Sequence, residues 1–152
     1  MTMFHSMGIS SSALTAQRLR LDVISSNMAN VDTTREKLVN GEWQPYRRKM
    51  VVMQPNENSF SSVLNKAIGA RSANNTSSGV KVTRIVEDQT PFKMIYDPEH
   101  PDADENGYVY QTNVDPLREM VDMISATRSY EANVTVFNAT KAMLMKSLDI
   151  GK

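Results

Sequence analysis

Two stretches of the chain repeat their apolar residues at helical spacing, and they lie at opposite ends. From Ser10 to about Val31 there is no Gly or Pro, and Met7, Leu14, Leu21 and Met28 recur every seven residues, with Ala13, Ala16, Val23 and Ile24 widening the stripe. That spacing keeps the side chains on one face, so it predicts a helix with an apolar seam. The Ser10-Ser11-Ser12 run offers hydroxyls to cap its first turn, with His5 in a tail ahead of it. The C-terminal stretch has the same design. Pro116 suits a first turn, Met120, Met123, Thr127, Tyr130, Val134, Phe137, Lys141, Leu144 and Leu148 follow in steps of three and four, and Gly151 closes the run. A helix of about 33 residues exceeds the usual length in globular domains and points to a coiled coil or an assembly element.

Between these ends the period changes. Tyr46 to Gln54, Val80 to Val86 and Phe92 to Tyr96 approach alternation of β-branched or aromatic with polar residues, bounded by Pro, Asn and Gly, which predicts short strands. Ser72 to Gly79 reads as a polar loop and Ser59 to Ala70 as a short helix. The expected fold is mainly α with a small β region, its long terminal helices pairing as an antiparallel coiled coil. We read one structural domain in three segments: an N-terminal assembly helix at 1–34, a β-rich middle at 35–115 and a C-terminal assembly helix at 116–152.

Composition narrows the function more than the fold. Seventeen basic and 17 acidic residues cancel among 152, so no net field steers the chain toward nucleic acid or an anionic membrane. With no cysteine there is neither a disulfide nor a thiolate site. The first twenty residues lack the charged and apolar regions of a cleavable signal, and no window reaches the roughly 18 apolar residues of a membrane span.

Candidate chemistry is sparse. Histidine occurs only at 5 and 100, and neither has a nucleophile motif nearby. Asp102, Asp104, Asn106 and Gly107 match the first half of a calcium loop, but the twelfth position is Asn113, which lacks the required carboxylate. The loop from Asp97 to Gly107 is therefore expected to be a solvated acidic turn whose Asn106-Gly107 pair starts the next strand. Arg47, Arg48 and Lys49 are expected on an exposed strand edge, where cations discourage stray pairing. Eleven methionines offer adaptable contacts or simply fill the core. Asn27, Asn30, Asn133 and Asn138 lie near the seams, either as buried amides that fix register or as solvent-facing residues. No catalytic, cofactor-binding or metal-ligating residue emerges.

The segment Ser25-Ser-Asn-Met-Ala-Asn-Val-Asp-Thr-Thr34 resembles the Asn-x-x-Asn signature of the flagellar rod and hook protein family. It is joined in order by Pro45-Tyr-Arg-Arg-Lys49, by the run from His100 to Val109 and by that from Glu119 to Val134, which together look like the proximal-rod members. The resemblance implies a structural subunit, not an enzyme, exported without cleavage by the flagellar type III apparatus and assembled into the drive shaft of the basal body. Its implied partners are other copies of itself, other rod proteins and the adaptor at the inner-membrane ring, with no nucleic acid, no membrane insertion and no cofactor. Expected assembly residues are Leu14, Leu21, Ile24, Asn27, Met28 and Asn30 in the first helix. In the second they are Met123, Tyr130, Asn133, Val134, Phe137, Leu144 and Leu148. The alternative is a soluble helical binding or chaperone module that grips one partner helix in a groove.

Overall fold

A computed structural model describes residues 3–39, 41–56 and 79–150. The short helix expected at Ser59 to Ala70 and nearly all of the polar loop from Ser72 lie outside the described residues. Helix α1 spans Met3–Ala29 and helix α2 spans Pro116–Ile150. Between them lie β1 (Lys37–Val39), β2 (Glu42–Gln44), β3 (Lys49–Pro55), β4 (Val80–Glu87), β5 (Lys93–Tyr96) and β6 (Tyr108–Gln111), paired as β1–β2, β3–β4 and β5–β6. The chain is mainly helical with a small β region, as the two periods predict. The β1–β2 hairpin escaped that prediction, although Asn40-Gly41 is a strong turn signal between two short runs.

The chain divides into two compact units that interleave its segments. One comprises Met1–Leu19, Val52–Arg84 and Ala126–Lys152, and the other Arg20–Val51 and Ile85–Ser125. In the first unit, the expected helix start at Ser10–Ser12 is corrected: α1 is already helical from Met3, so His5 is helical too, and the serines are interior. Ser12 Oγ donates to the Ile9 carbonyl (2.7 Å) and accepts the Val80 N–H (3.1 Å), so it secures the start of β4 instead of capping α1. Asp115 is the cap of α2: its carboxylate accepts the Leu117 N–H at 3.1 Å, ahead of Pro116 in the first turn.

Burial along each helix follows small and polar residues more than large apolar ones. In α1 the buried positions are Ser10, Ala16, Val23, Ile24 and Asn27, while Leu14, Leu21, Met28 and Asn30 are half-buried. In α2 the fully covered line runs through Glu119, Ala126 and Thr140. Met123, Tyr130, Asn133, Val134, Phe137 and Leu144 are half-buried beside that line, and Met120 and Leu148 are exposed. The covered line therefore sits one residue before Met120, Thr127 and Lys141 of the predicted seam. Closest approach of a helix to its surroundings selects short side chains, and long apolar ones reach in from the flanks.

In the β5–β6 pair, Met94 faces Tyr110, Ile95 faces Val109 and Tyr96 faces Tyr108. Period-two alternation turns Val109 inward, where it is buried, and leaves Met94, Tyr96, Tyr108 and Tyr110 on the exposed face. Gly107 precedes β6 at φ +78°, and Gly41 precedes β2 at φ +91°. A side chain at either position carries the left-handed penalty of about 1–2 kcal/mol. At Gly107 it would also meet Tyr96 at 3.0 Å and Pro98 at 3.3 Å, whereas nothing lies within 4 Å at Gly41. Gly107→Ala is therefore expected to lower the urea midpoint clearly more than Gly41→Ala, and equal midpoints would show that crowding at Gly107 carries no cost.

Candidate functional site

Among the described residues, a dense set of hydrogen bonds lies in the unit made of Arg20–Val51 and Ile85–Ser125, where α1 ends, β3 begins and α2 starts. Asn27, only 1% exposed, occupies its centre. Its Nδ2 donates to the Lys49 carbonyl (2.9 Å) and to Glu119 Oε2 (3.0 Å). Its Oδ1 accepts the Lys49 N–H (2.9 Å) and the Tyr46 hydroxyl (3.1 Å). The amide thus bonds both backbone groups of one residue, as a neighbouring strand would, and uses all four of its hydrogen-bonding positions. A buried amide avoids a penalty only when satisfied in this way.

Arg48 is the second member. Its Nε donates to Glu119 Oε1 at 2.5 Å and its Nη2 to Asp122 Oδ2 at 3.2 Å, with Asp88 3.7 Å from Nη1. Asp122 also accepts from Arg20 of α1 at 3.1 Å, so two guanidinium groups share three carboxylates. Glu119 is fully buried, a position open to a carboxylate only with partners of this quality. These contacts also fix the local direction of the helices: residues 20 and 27 of α1 meet residues 122 and 119 of α2, an antiparallel arrangement within this unit.

The loops are fastened to the same place. Asn113 Oδ1 accepts the Arg48 N–H at 2.7 Å, while its Nδ2 donates to Asp88 and Thr90 carbonyls, both at 3.2 Å. Tyr46, buried, donates its N–H to the Thr33 carbonyl at 3.0 Å. Asn30 ends α1 by donating Nδ2 to the Ser26 carbonyl (2.8 Å) and accepting the Thr33 hydroxyl (3.3 Å). The Asn-x-x-Asn pair thereby has two duties, Asn27 holding β3 and Asn30 shaping the exit from the helix. Asn133 instead bonds the Ser129 carbonyl of its own helix, and Asn138 is exposed.

Two expectations need correction here. Arg47, Arg48 and Lys49 do not form an exposed basic edge. Arg47 stacks over the Phe92 ring at 4.4 Å, Arg48 is buried among carboxylates, and Lys49 Nζ lies 4.6 Å from the Tyr46 ring centre and donates to Glu36. Counter-charges from distant segments, invisible in a local run of three cations, draw them in. The acidic loop is solvated at Glu99, Asp104 and Glu105 but not at Asp102, which accepts the Thr34 hydroxyl at 2.6 Å and pairs with Arg35. No group of three His, Asp or Glu side chains with metal-binding geometry occurs among the described residues.

Sequence reasoning named Asn27 but missed Glu119, Arg48 and Tyr46. A carboxylate in the first turn of a helix ordinarily signals a favourable charge near the N-terminal dipole. Its alignment with Ala126 and Thr140 was the available sign that Glu119 turns inward. Removing one member of a buried pair strands the other, at about 3–5 kcal/mol. Glu119→Ala is expected to lower the unfolding free energy by about that amount, against a change within about 0.5 kcal/mol for exposed Asp104→Ala. Asn27→Asp, almost the same shape, sets a carboxylate against Glu119 and the Lys49 carbonyl and is expected to cost at least about 2 kcal/mol. Equilibrium denaturation of the purified variants measures all three.

Thr34's hydroxyl, helped by Arg35, holds the Asp102 carboxyl below its ordinary range, and the Thr90 N–H does the same for Asp88. Because their folded pKa values are depressed, the unfolded chain takes up protons first, so this stabilisation is present above about pH 4 and lost as pH falls further. Thermal unfolding measured across that range should show a shallower acid limb in Asp102→Asn. An identical limb would show that the Thr34 and Arg35 contacts add nothing.

Comparison with known proteins places these contacts in a family. The pattern described as flagella basal body rod protein matches residues 7–35, which contain Asn27 and Asn30. The pattern described as the C-terminal region of flagellar basal body rod FlgEFG proteins matches residues 105–150, which contain Asn113 and Glu119. The flagellar basal-body rod protein FlgC of Bacillus subtilis is 62% identical over 152 residues, all of both chains. That of Escherichia coli O157:H7 is 43% identical over the same length, again all of both chains. That of Borreliella burgdorferi is 43% identical over 161 aligned residues, covering 99% of this chain and 98% of the other. Similarity of this extent leaves no segment of the fold unaccounted for, and the chain belongs to the FlgC family of flagellar basal-body rod proteins.

Proposed function

We propose that this chain builds the proximal rod by polymerising through its two terminal helices. As a member of its family it is a structural subunit of the flagellar basal body, not an enzyme. No helix among the described residues is long and apolar enough to cross a membrane. In the proposed assembly, segments 1–34 and 116–152 pair as an antiparallel coiled coil that forms an inner wall, with the β-rich segment 35–115 outside it. Copies stacked helically make a hollow shaft that carries torque from motor to hook. The partners are further copies, other rod proteins, the adaptor at the inner-membrane ring and the type III export apparatus that delivers the subunit.

The observation that carries this reading is apolar surface left open on α2. Val136, Met143, Met145 and Leu148 are each more than half exposed, and Phe4 of α1 is 76% exposed. Side chains of this size lose their contact with water only by meeting another chain, at roughly 25 cal/mol per Å² of apolar surface covered. In a repeating polymer each contact recurs in every subunit, so a modest gain per contact accumulates. The half-buried Tyr130, Val134, Phe137 and Leu144 would complete the same seam.

Leu148→Asp separates assembly from folding. Because Leu148 is exposed in the single chain, its stability should shift by no more than about 0.5 kcal/mol. The variant should nevertheless be absent from purified basal bodies and leave cells unable to swim. Incorporation at the normal level with normal swimming would exclude the end of α2 from the assembly seam.

A further inference from the structure

Two surfaces of the unit formed by Arg20–Val51 and Ile85–Ser125 lie uncovered, and they differ in shape and charge. One is a groove of about 650 Å³ that includes Trp43, Phe92 and Tyr110 in its lining. Its charged lining consists of four carboxylates, Glu42, Asp102, Asp104 and Glu105, against the single guanidinium of Arg35, which is already paired with Asp102. Trp43 and Tyr110 are both more than two-fifths exposed. Aromatic side chains in such a setting supply large contact area at little entropic cost and concentrate binding energy at interfaces.

The other surface is a ridge on the first turns of α2. Leu117, Val121 and Ile124, at steps of four and three, are 71%, 67% and 55% exposed, with Met120 beside them. Of the charged residues in Pro116–Ser125, Glu119 and Asp122 are turned to Arg48, and Arg118 is exposed on the flank beside Asp122, where its charge also acts on Asp88. The ridge is thus apolar and carries no carboxylate on its exposed face, and the groove is aromatic and anionic. The groove is large enough for a row of aliphatic side chains and too small for a whole helix, which suits insertion of a ridge.

We propose that the α2 ridge of one copy docks in the aromatic groove of the next copy. A contact between two different surfaces of the same chain is heterologous, so a docked pair still offers one free groove at one end and one free ridge at the other, and further copies can add to either. Groove against groove would set carboxylates against carboxylates, whereas the ridge brings no carboxylate to the groove and has the Arg118 cation on its flank. The inference rests on the rod reading above and adds to it a contact separate from the seam near the end of α2.

The absence of cysteine makes the contact directly testable. Glu105→Cys on the groove wall and Val121→Cys on the ridge both alter exposed positions. Basal bodies purified from cells making the doubly substituted chain are treated with a short bismaleimide and resolved under denaturing conditions. The expected result is a ladder of dimers, trimers and longer products, because each copy carries both halves of the contact. Cells making the two singly substituted chains together should yield dimers and nothing larger, and either single variant alone should yield monomer. The pair Glu105→Cys with Leu117→Cys should reproduce the ladder and guards against an effect peculiar to position 121. Monomer alone from basal bodies that contain either doubly substituted chain at the normal level overturns the docking and leaves the rod reading standing, as would dimers from one single variant. Absence of the unsubstituted chain from basal bodies would instead overturn the rod reading itself.

Discussion

Burying Glu119 beside Arg48 sets the terms for everything around it. A carboxylate without water is tolerated only if its oxygens are met by well-placed donors, and here they are met by Arg48 Nε and Asn27 Nδ2. Those donors belong to different segments, so satisfying one buried charge fixes the start of α2 against both the end of α1 and the strand entering the middle region. Asp122 and Asp88 then balance the guanidinium, and Asn113 anchors its backbone. Such a junction is defined by what it would cost to open, more than by what it contributes when closed.

Much of this chain is legible from period and punctuation, because a long uninterrupted heptad pattern and short alternating runs answer to local rules. The two helices and four of the strands follow from those rules, and Pro116 sits in the first turn where its geometry places it. What escaped was set by distant partners. Arg48 looks like surface charge until Glu119, 71 residues away, is brought to it. Asp102 looks like a solvated turn residue until Thr34 and Arg35 arrive. The covered line of α2 also runs one residue before Met120, Thr127 and Lys141, through Glu119, Ala126 and Thr140, because partners from other segments decide which of two neighbouring rows is covered. The amide at Asn27 was legible as unusual, and within the chain it bonds Lys49, Tyr46 and Glu119, partners that no local rule names.

The distribution of apolar surface separates two kinds of work. Inside the chain, specificity comes from polar groups that are few, buried and fully bonded. On the outside, leucine, valine, isoleucine, methionine and aromatic side chains remain open on α2, in the β5–β6 pair and around the groove. The bonds of this junction close within one chain and draw on none of that open apolar surface.

Asn27 has one further consequence that follows from its chemistry alone. An amide offers a donor and an acceptor without carrying a charge, and it neither gains nor loses a proton over any range a living cell meets. The pairing of Asn27 with the two backbone groups of Lys49 therefore rests on no ionised group, whereas the half-exposed ion pair of Arg20 and Asp122 nearby is screened by salt. The join between helix and strand is recognised by shape and hydrogen-bond polarity, and it stays in register when the medium around it changes.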